Sequence, residues 1–193
     1  MLPNNASQTF PALRAAVTTL QSLADSNATD DDWLAASGLV LAALIAHDDW
    51  LPASHAQSDA QYYQQHALHL DAAQRFSISS FVWAPGQGTP IHNHTVPGWV
   101  GVLRGGELCQ RYDDDGQQKI GPETQLNPGD QCAVTPHNDA IGDVHTVRNA
   151  YADRNSISIH IYRGDIAKLA RSVFKDGLEK PFQSSYSAAK PLI

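Results

Sequence analysis

The sequence predicts a mainly β protein, a sandwich or barrel, behind a layer of N-terminal α-helices. Three observations carry that prediction. Helical periodicity fills roughly the first seventy residues. Short β-like runs separated by turn residues follow from Arg75, and one of them, SISIHIY from Ser156 to Tyr162, alternates strictly. With 193 residues, 42% of them hydrophobic, the chain can bury one substantial core. It reads as a single domain over residues 1–193, with helices to residue 74, a barrel over 75–163 and a C-terminal extension over 164–193.

Phe10, Leu13, Val17, Leu20 and Leu23 repeat at threes and fours and define a first helix. Thr29 or Asp30 caps a second, which carries Trp33, Leu34, Val40, Leu41, Leu44 and Ile45 and is broken by Pro52. A third short helix is expected in DAQYYQQHALHL, Asp59 to Leu70. Beyond Arg75, FSISSFVW, WVGVLRG, ELCQRY and SISIHIY read as strands, and APGQGTP, DDDGQQ and PGD as the turns between runs. From Gly164 a short helical piece and then a surface tail, SSYSAAKPLI, are expected.

The formal charge is −7, and the thirteen Lys and Arg are scattered rather than gathered into a stripe, which argues against a nucleic-acid partner. An anionic surface also repels anionic membranes. The longest apolar run, GLVLAALIA, is half of what a membrane span needs, and MLPNNASQTF lacks the pattern of a signal peptide, so the expected compartment is the cytoplasm. Cys109 and Cys132 belong to no paired-cysteine motif and read as small buried thiols without chemistry.

The stretch PIHNHTVPGWVGVLRGG holds His92 and His94 two apart in an extended segment, so both imidazoles leave one face and point to a metal. His145, in GDVHTVRN, is the remaining ligand candidate. In SISIHIY, Ile157, Ile159 and Ile161 share one face, and Ser158, His160 and Tyr162 the other. In an ordinary antiparallel sheet that polar row would face water. In a barrel with helices packed outside, the isoleucines sit under the helices and the polar row lines the cavity.

Together these residues resemble the two signatures of the cupin superfamily, a double-stranded β-helix barrel. Gly86, His92, His94 and Gly105 match the first, and Gly142, His145 and Asn149 match the end of the second. Gly98 stands where the first signature often supplies a glutamate ligand. Three neutral histidines leave a divalent metal at charge +2, one unit more positive than two histidines and a carboxylate would. An anionic substrate ligand such as a thiolate is then favoured, because the metal stabilises the thiol's anion.

HNHTVPG with GVLRG, GDVHTVRNAY, and Ser158-x-His160-x-Tyr162 resemble the thiol dioxygenases, the cysteine dioxygenase family of cupin fold, over about Tyr63 to Tyr186. The resemblance implies Fe(II) held by His92, His94 and His145, and oxidation of a small thiol to a sulfinate by both atoms of O2. It also implies that Tyr162 points at substrate and oxygen, that His160 orients Tyr162, and that Ser158 holds His160. Gly98 has no side chain to crosslink to Tyr162, unlike the cysteine found near this position in mammalian-type cysteine dioxygenases. Gln65 falls where those enzymes carry an arginine, and it resembles the glutamine of bacterial 3-mercaptopropionate dioxygenases, with Gln64 the off-by-one alternative.

SFVWAPGQ and EKPFQSSYS extend that resemblance, and Arg171 matches an arginine of the subfamily that would bind substrate with Gln65, if it is not simply solvated on a surface helix. The departures are Pro97, where a tryptophan is expected, and Asn93, where an aspartate is common. Both are expected near the metal, where a changed wall would admit another mercapto acid such as mercaptosuccinate. The activities implied are therefore oxidation of 3-mercaptopropionate first, with cysteine or mercaptosuccinate as alternatives, and a non-catalytic metal- or ligand-binding cupin as the reading from a different class. His137 is expected in a turn at the surface or rim, and His66, beside Gln65, near the pocket. Trp83, Trp99 and Phe81 are expected in the core.

Overall fold

The computed structural model describes residues 10–136, 138, 140–188 and 190–193. Helix α1 (Pro11–Asp25) opens on a proline, whose missing N–H has no helical partner at that position anyway. Helix α2 (Asp30–Ile45) is capped by Thr29, whose hydroxyl accepts from the Asp32 N–H at 3.2 Å, and three aspartates in its first turn suit the helix dipole. Arg163 ties this corner to the barrel by pairing with Asp30 and donating to the Ala28 carbonyl. No helix among the described residues is long and apolar enough to cross a membrane.

Among the described residues eleven strands follow: β1 (Gln64–Leu70), β2 (Ser77–Trp83), β3 (Ile91–His92), β4 (Gly98–Arg104), β5 (Glu107–Tyr112), β6 (Lys119–Leu126), β7 (Gln131–Val134), β8 (His145–Asn149), β9 (Ser156–Tyr162), β10 (Arg171–Lys175) and β11 (Leu178–Phe182). They form two antiparallel sheets, ordered β1-β2-β9-β4-β7 and β11-β10-β3-β8-β5-β6. From β2 onward the chain crosses repeatedly from one sheet to the other, which is the winding of a double-stranded β-helix.

All seven residues of β9 are buried, and the strand lies between β2 and β4. Ile159 and Ile161 join Leu13, Leu20, Leu41 and Leu44 in one apolar cluster, so these two of the three isoleucines lie under the helices as the alternation predicted, while Ile157 is buried outside that cluster. Each such isoleucine, fully buried, contributes roughly 1.5–3 kcal/mol before entropy is counted. Close approach of α2 requires Gly101 on β4, where a Cβ would lie 2.8 Å from Ile45 Cδ1 and 2.9 Å from Leu41 Cδ2.

Two expectations are corrected. Residues 64–70, expected at the end of a helix, form β1 and pair with β2 from Gln64↔Val82 to Leu70↔Ser77. Gln, Ala, Leu and His fit either state, and the ladder offered by β2 decides between them. The barrel therefore begins before residue 75. The segment after Gly164 carries a hairpin of β10 and β11 instead of a helical piece, turning at Asp176 and Gly177, which both have positive φ. The C-terminal segment lies at the surface as expected, its described residues exposed or half-buried, and its end is tied down: Leu192 N–H donates to the Ala67 carbonyl and Ile193 N–H to that of Leu68, both at 3.1 Å.

Candidate metal centre

His92 on β3 stands directly across from His145 on β8, and His94 follows in the turn after β3. All three are buried, with ring centroids 4.8 to 4.9 Å apart and candidate ligand atoms within 4.8 Å of one another. Each Nδ1 is engaged away from the cluster. His92 Nδ1 meets the Pro90 carbonyl at 3.1 Å, His94 Nδ1 the Asp143 carboxylate at 3.0 Å, and His145 Nδ1 the Cys109 sulfur at 3.6 Å. That leaves the three Nε2 atoms to converge, and partners on the remote nitrogen orient imidazoles toward a metal.

Burial pushes the His92 imidazole well below its usual range, with neighbouring His94 and His145 adding to the shift, and pushes His94 down to about 4. Imidazoles held neutral suit a divalent metal ion, so the donor set fits one. Asp143 is the supporting residue that spacing did not single out, although it lies only two residues before His145. It accepts from the backbone N–H groups of His94 and Thr95 as well as from the His94 ring, and so clamps a turn in which Thr95 has a φ of 62°. Burial works to raise its carboxyl, but the hydrogen bonds from His94 and Thr95 outweigh that and hold it below the usual range.

The polar face of β9 forms a continuous row. Ser158 Oγ lies 2.8 Å from His160 Nε2, and His160 Nδ1 lies 2.8 Å from the Tyr162 hydroxyl. His160 stacks on Phe81 at 4.0 Å, and the Tyr162 ring stacks on His94 at 5.2 Å. Burial pushes His160 well below and the Tyr162 phenol well above their ordinary values, so both are neutral at neutral pH.

A cavity opens beside His92 and His145, and its wall includes Tyr63, Gln65, His160, Tyr162, Arg171 and Phe182. Gln65 and Arg171 are both buried, and Gln65 Nε2 and Arg171 Nε have no hydrogen-bond partner among the described residues. Arg171 is not on a surface helix. It opens β10, donates through Nη2 to Ser184 Oγ at 2.8 Å, and lies over the Phe182 ring. Strand parity decides between the neighbouring glutamines: Gln64 is half-buried, donates to the Tyr62 carbonyl and does not line the cavity.

Several expected pocket neighbours lie elsewhere. His66 turns away from the cavity toward His55 and the Gln57 carbonyl. Asn93 points to β10, where its Oδ1 accepts from the Ser172 N–H at 2.8 Å, and neither Asn93 nor Pro97 is on the cavity wall. His137 lies outside the described residues. Phe81 and Trp83 are buried as expected, whereas Trp99 is half-buried and donates to the Leu34 carbonyl at the foot of the helical layer. Both cysteines are free; Cys109 is buried, Cys132 only half-buried.

No family model matches the sequence. Among solved structures, the chain is similar to an uncharacterized conserved protein with a double-stranded β-helix domain from Klebsiella pneumoniae (14% identity, 63% of this chain and 87% of that one, TM-score 0.49). It is also similar to a cupin superfamily protein from Desulfitobacterium hafniense (22% identity, 62% and 94% covered, TM-score 0.44). A third is oxalate oxidase in complex with the substrate analogue glycolate (19% identity, 62% of each chain, TM-score 0.44). The fold is read from the strand order itself: a mainly β double-stranded β-helix with two N-terminal helices and a site of three histidines that could hold a metal ion.

Proposed function

We propose that the protein is an iron(II)-dependent thiol dioxygenase of cupin type that oxidises a small mercapto acid, most readily 3-mercaptopropionate, to its sulfinate. The reaction balances as RSH + O2 → RSO2− + H+. One observation carries the reading: the buried Ser158-His160-Tyr162 row ends beside three convergent histidines, on a cavity also lined by two donor atoms, Gln65 Nε2 and Arg171 Nε, that have no partner among the described residues. A module that only bound metal would have no use for that row.

Iron(II) held by His92, His94 and His145 would supply the redox chemistry and bring sulfur and O2 together. The protein does the rest. Arg171 and Gln65 hold the substrate carboxylate, the arginine as the charged partner and the glutamine as a neutral amide donor. Tyr162, neutral and oriented by His160, donates a hydrogen bond to the substrate or the oxygen. Phe81, Trp83 and Phe182 add apolar surface to the cavity wall and exclude water there.

The test is oxygen uptake by iron(II)-loaded protein with 3-mercaptopropionate, cysteine, mercaptosuccinate and cysteamine in turn. Uptake fastest with 3-mercaptopropionate and formation of 3-sulfinopropionate are expected. Preference for cysteine or mercaptosuccinate would move the substrate and keep the reaction. No uptake with any thiol, or a Tyr162→Phe protein indistinguishable from wild type, would overturn the proposal in favour of a non-catalytic binding module.

A further inference from the structure

The row on β9 does not stop at Ser158. Trp83 Nε1–H donates to Ser158 Oγ at 3.3 Å, and beyond them lies Glu107, the first residue of β5, with no exposed surface. One of its oxygens, Oε1, is 3.3 Å from Ser156 Oγ, whose single O–H also faces the Arg104 carbonyl at 3.2 Å. The other, Oε2, is buried without a hydrogen-bond partner among the described residues. The groups that act on the carboxyl are Ser158, Ser156, Trp83 and Cys109, none of them a cation. On the neighbouring strands it faces Asn149 of β8 and Leu126 of β6, with the Cys132 thiol of β7 and the Tyr162 phenol of β9 as further titratable neighbours.

A buried carboxylate with no cation is expensive, and the neutral acid is favoured in its place. Burial pushes Glu107 up to about 7, against the opposing pull of hydroxyl and indole donors.

Donor arithmetic then links Glu107 to Tyr162. Ser158 has one O–H, neutral His160 one N–H, and Tyr162 one O–H. With Glu107 neutral, Ser158 donates to His160 Nε2, His160 Nδ1–H donates to the Tyr162 oxygen, and the Tyr162 proton is free for the cavity. With Glu107 ionised, Ser158 turns to donate to the carboxylate and accepts from His160 Nε2–H, so His160 Nδ1 is bare and accepts the Tyr162 proton. Passing one proton from Glu107 through Ser158, His160 and Tyr162 into the cavity converts the first arrangement into the second. Glu107 gains the negative charge, the three groups between keep theirs, and the proton leaves at Tyr162.

We propose that Glu107 is a positioning residue that sets the direction of the Ser158-His160-Tyr162 row, so that Tyr162 donates into the cavity only while Glu107 is neutral. Its consequence for turnover rests on the dioxygenase reading. The reversal of the row does not, because it belongs to the protein alone.

The test is the tautomer of His160, read from 15N shifts of the ring in histidine-labelled, zinc-loaded protein between about pH 6 and about pH 8.5, a window that brackets neutral pH. His160→Gln supplies the assignment. The expected result is an Nδ1–H tautomer at the acidic end giving way to Nε2–H at the basic end, with Glu107→Gln holding Nδ1–H throughout because an amide cannot ionise. A single tautomer of His160 across the range in the wild type would overturn the proposal whether or not the variant folds. In the iron(II) protein, kcat with 3-mercaptopropionate should fall on the basic side in the wild type, and Glu107→Gln should flatten that limb without raising KM. A tautomer change without oxygen uptake would sink the dioxygenase reading and leave this one standing. Oxygen uptake without a tautomer change would do the reverse.

Discussion

Gly98 on β4 stands directly across from Tyr162 on β9, and a Cβ on residue 98 would overlap Tyr162 Cδ1 and lie 2.8 Å from Cε1. The tyrosine ring fills the space a side chain would need. Gly98→Ala must therefore displace the ring from its stack on His94. We expect kcat/KM to fall about 10- to 100-fold, as small misplacements of a positioned group do, with metal content unchanged. Steady-state kinetics beside metal analysis checks this.

The same contact bears on covalent chemistry. With no sulfur at residue 98, Tyr162 should be an unmodified phenol. Intact-protein mass after turnover should equal the sequence mass, with no loss of two hydrogens.

Asp143 should matter for metal retention without itself being a ligand. Replacing it with Asn weakens the hydrogen bond to His94 Nδ1 and loosens the turn at Thr95, so affinity should fall about 10- to 100-fold. His145→Ala should abolish retention. Competition with a chromophoric chelator measures both.

On the cavity wall, Arg171→Met should raise KM for 3-mercaptopropionate by about 10- to 150-fold, the range of a hydrogen bond to a charged group. Gln65→Leu should raise it less, because a neutral amide is lost. Cysteamine, which has no carboxylate, serves as the control: its turnover should respond to neither substitution.

Asp71 supplies a pH dependence of stability. Arg75 donates to it through Nε at 2.9 Å and Nη2 at 2.8 Å, and these side-chain hydrogen bonds, acting against burial, hold its carboxyl at about 2. The folded value lies below the unfolded one. The stabilisation is therefore present above the unfolded value and is lost as pH falls from about 4 toward about 2, amounting to at most about 2 kcal/mol. Urea denaturation across that range should show this loss in the wild type and a shallower one in Asp71→Asn.

His92 and His94 were legible as candidate metal ligands because their spacing is local, whereas His145 was named through its match to the second signature. The HxH spacing marks the pair even though β3 ends at His92 and His94 lies just beyond it, and strict alternation in SISIHIY places Ser158, His160 and Tyr162 on one face. The Thr29 cap is equally local. Residues 64–70 were not legible, since their composition suits helix and strand alike and only the pairing with β2 selects the strand. That selection also settles which glutamine looks inward. The Asp176–Gly177 pair did carry a hairpin signal in the sequence, and the β10–β11 hairpin that brings Arg171 to the cavity turns on it.

Asp143, Glu107 and Cys109 show the limit differently. Asp143 is close in sequence to His145 but acts on His94, forty-nine residues away. Glu107 meets the end of the β9 row from the other sheet, and Cys109 meets His145 across the β5–β8 ladder. Periodicity within a strand fixes which side chains share a face, and so the chemistry of each row could be read from the residues alone. Which rows meet depends on register and on how two sheets close over one another. Those contacts join residues far apart in the chain, and no local pattern specifies them.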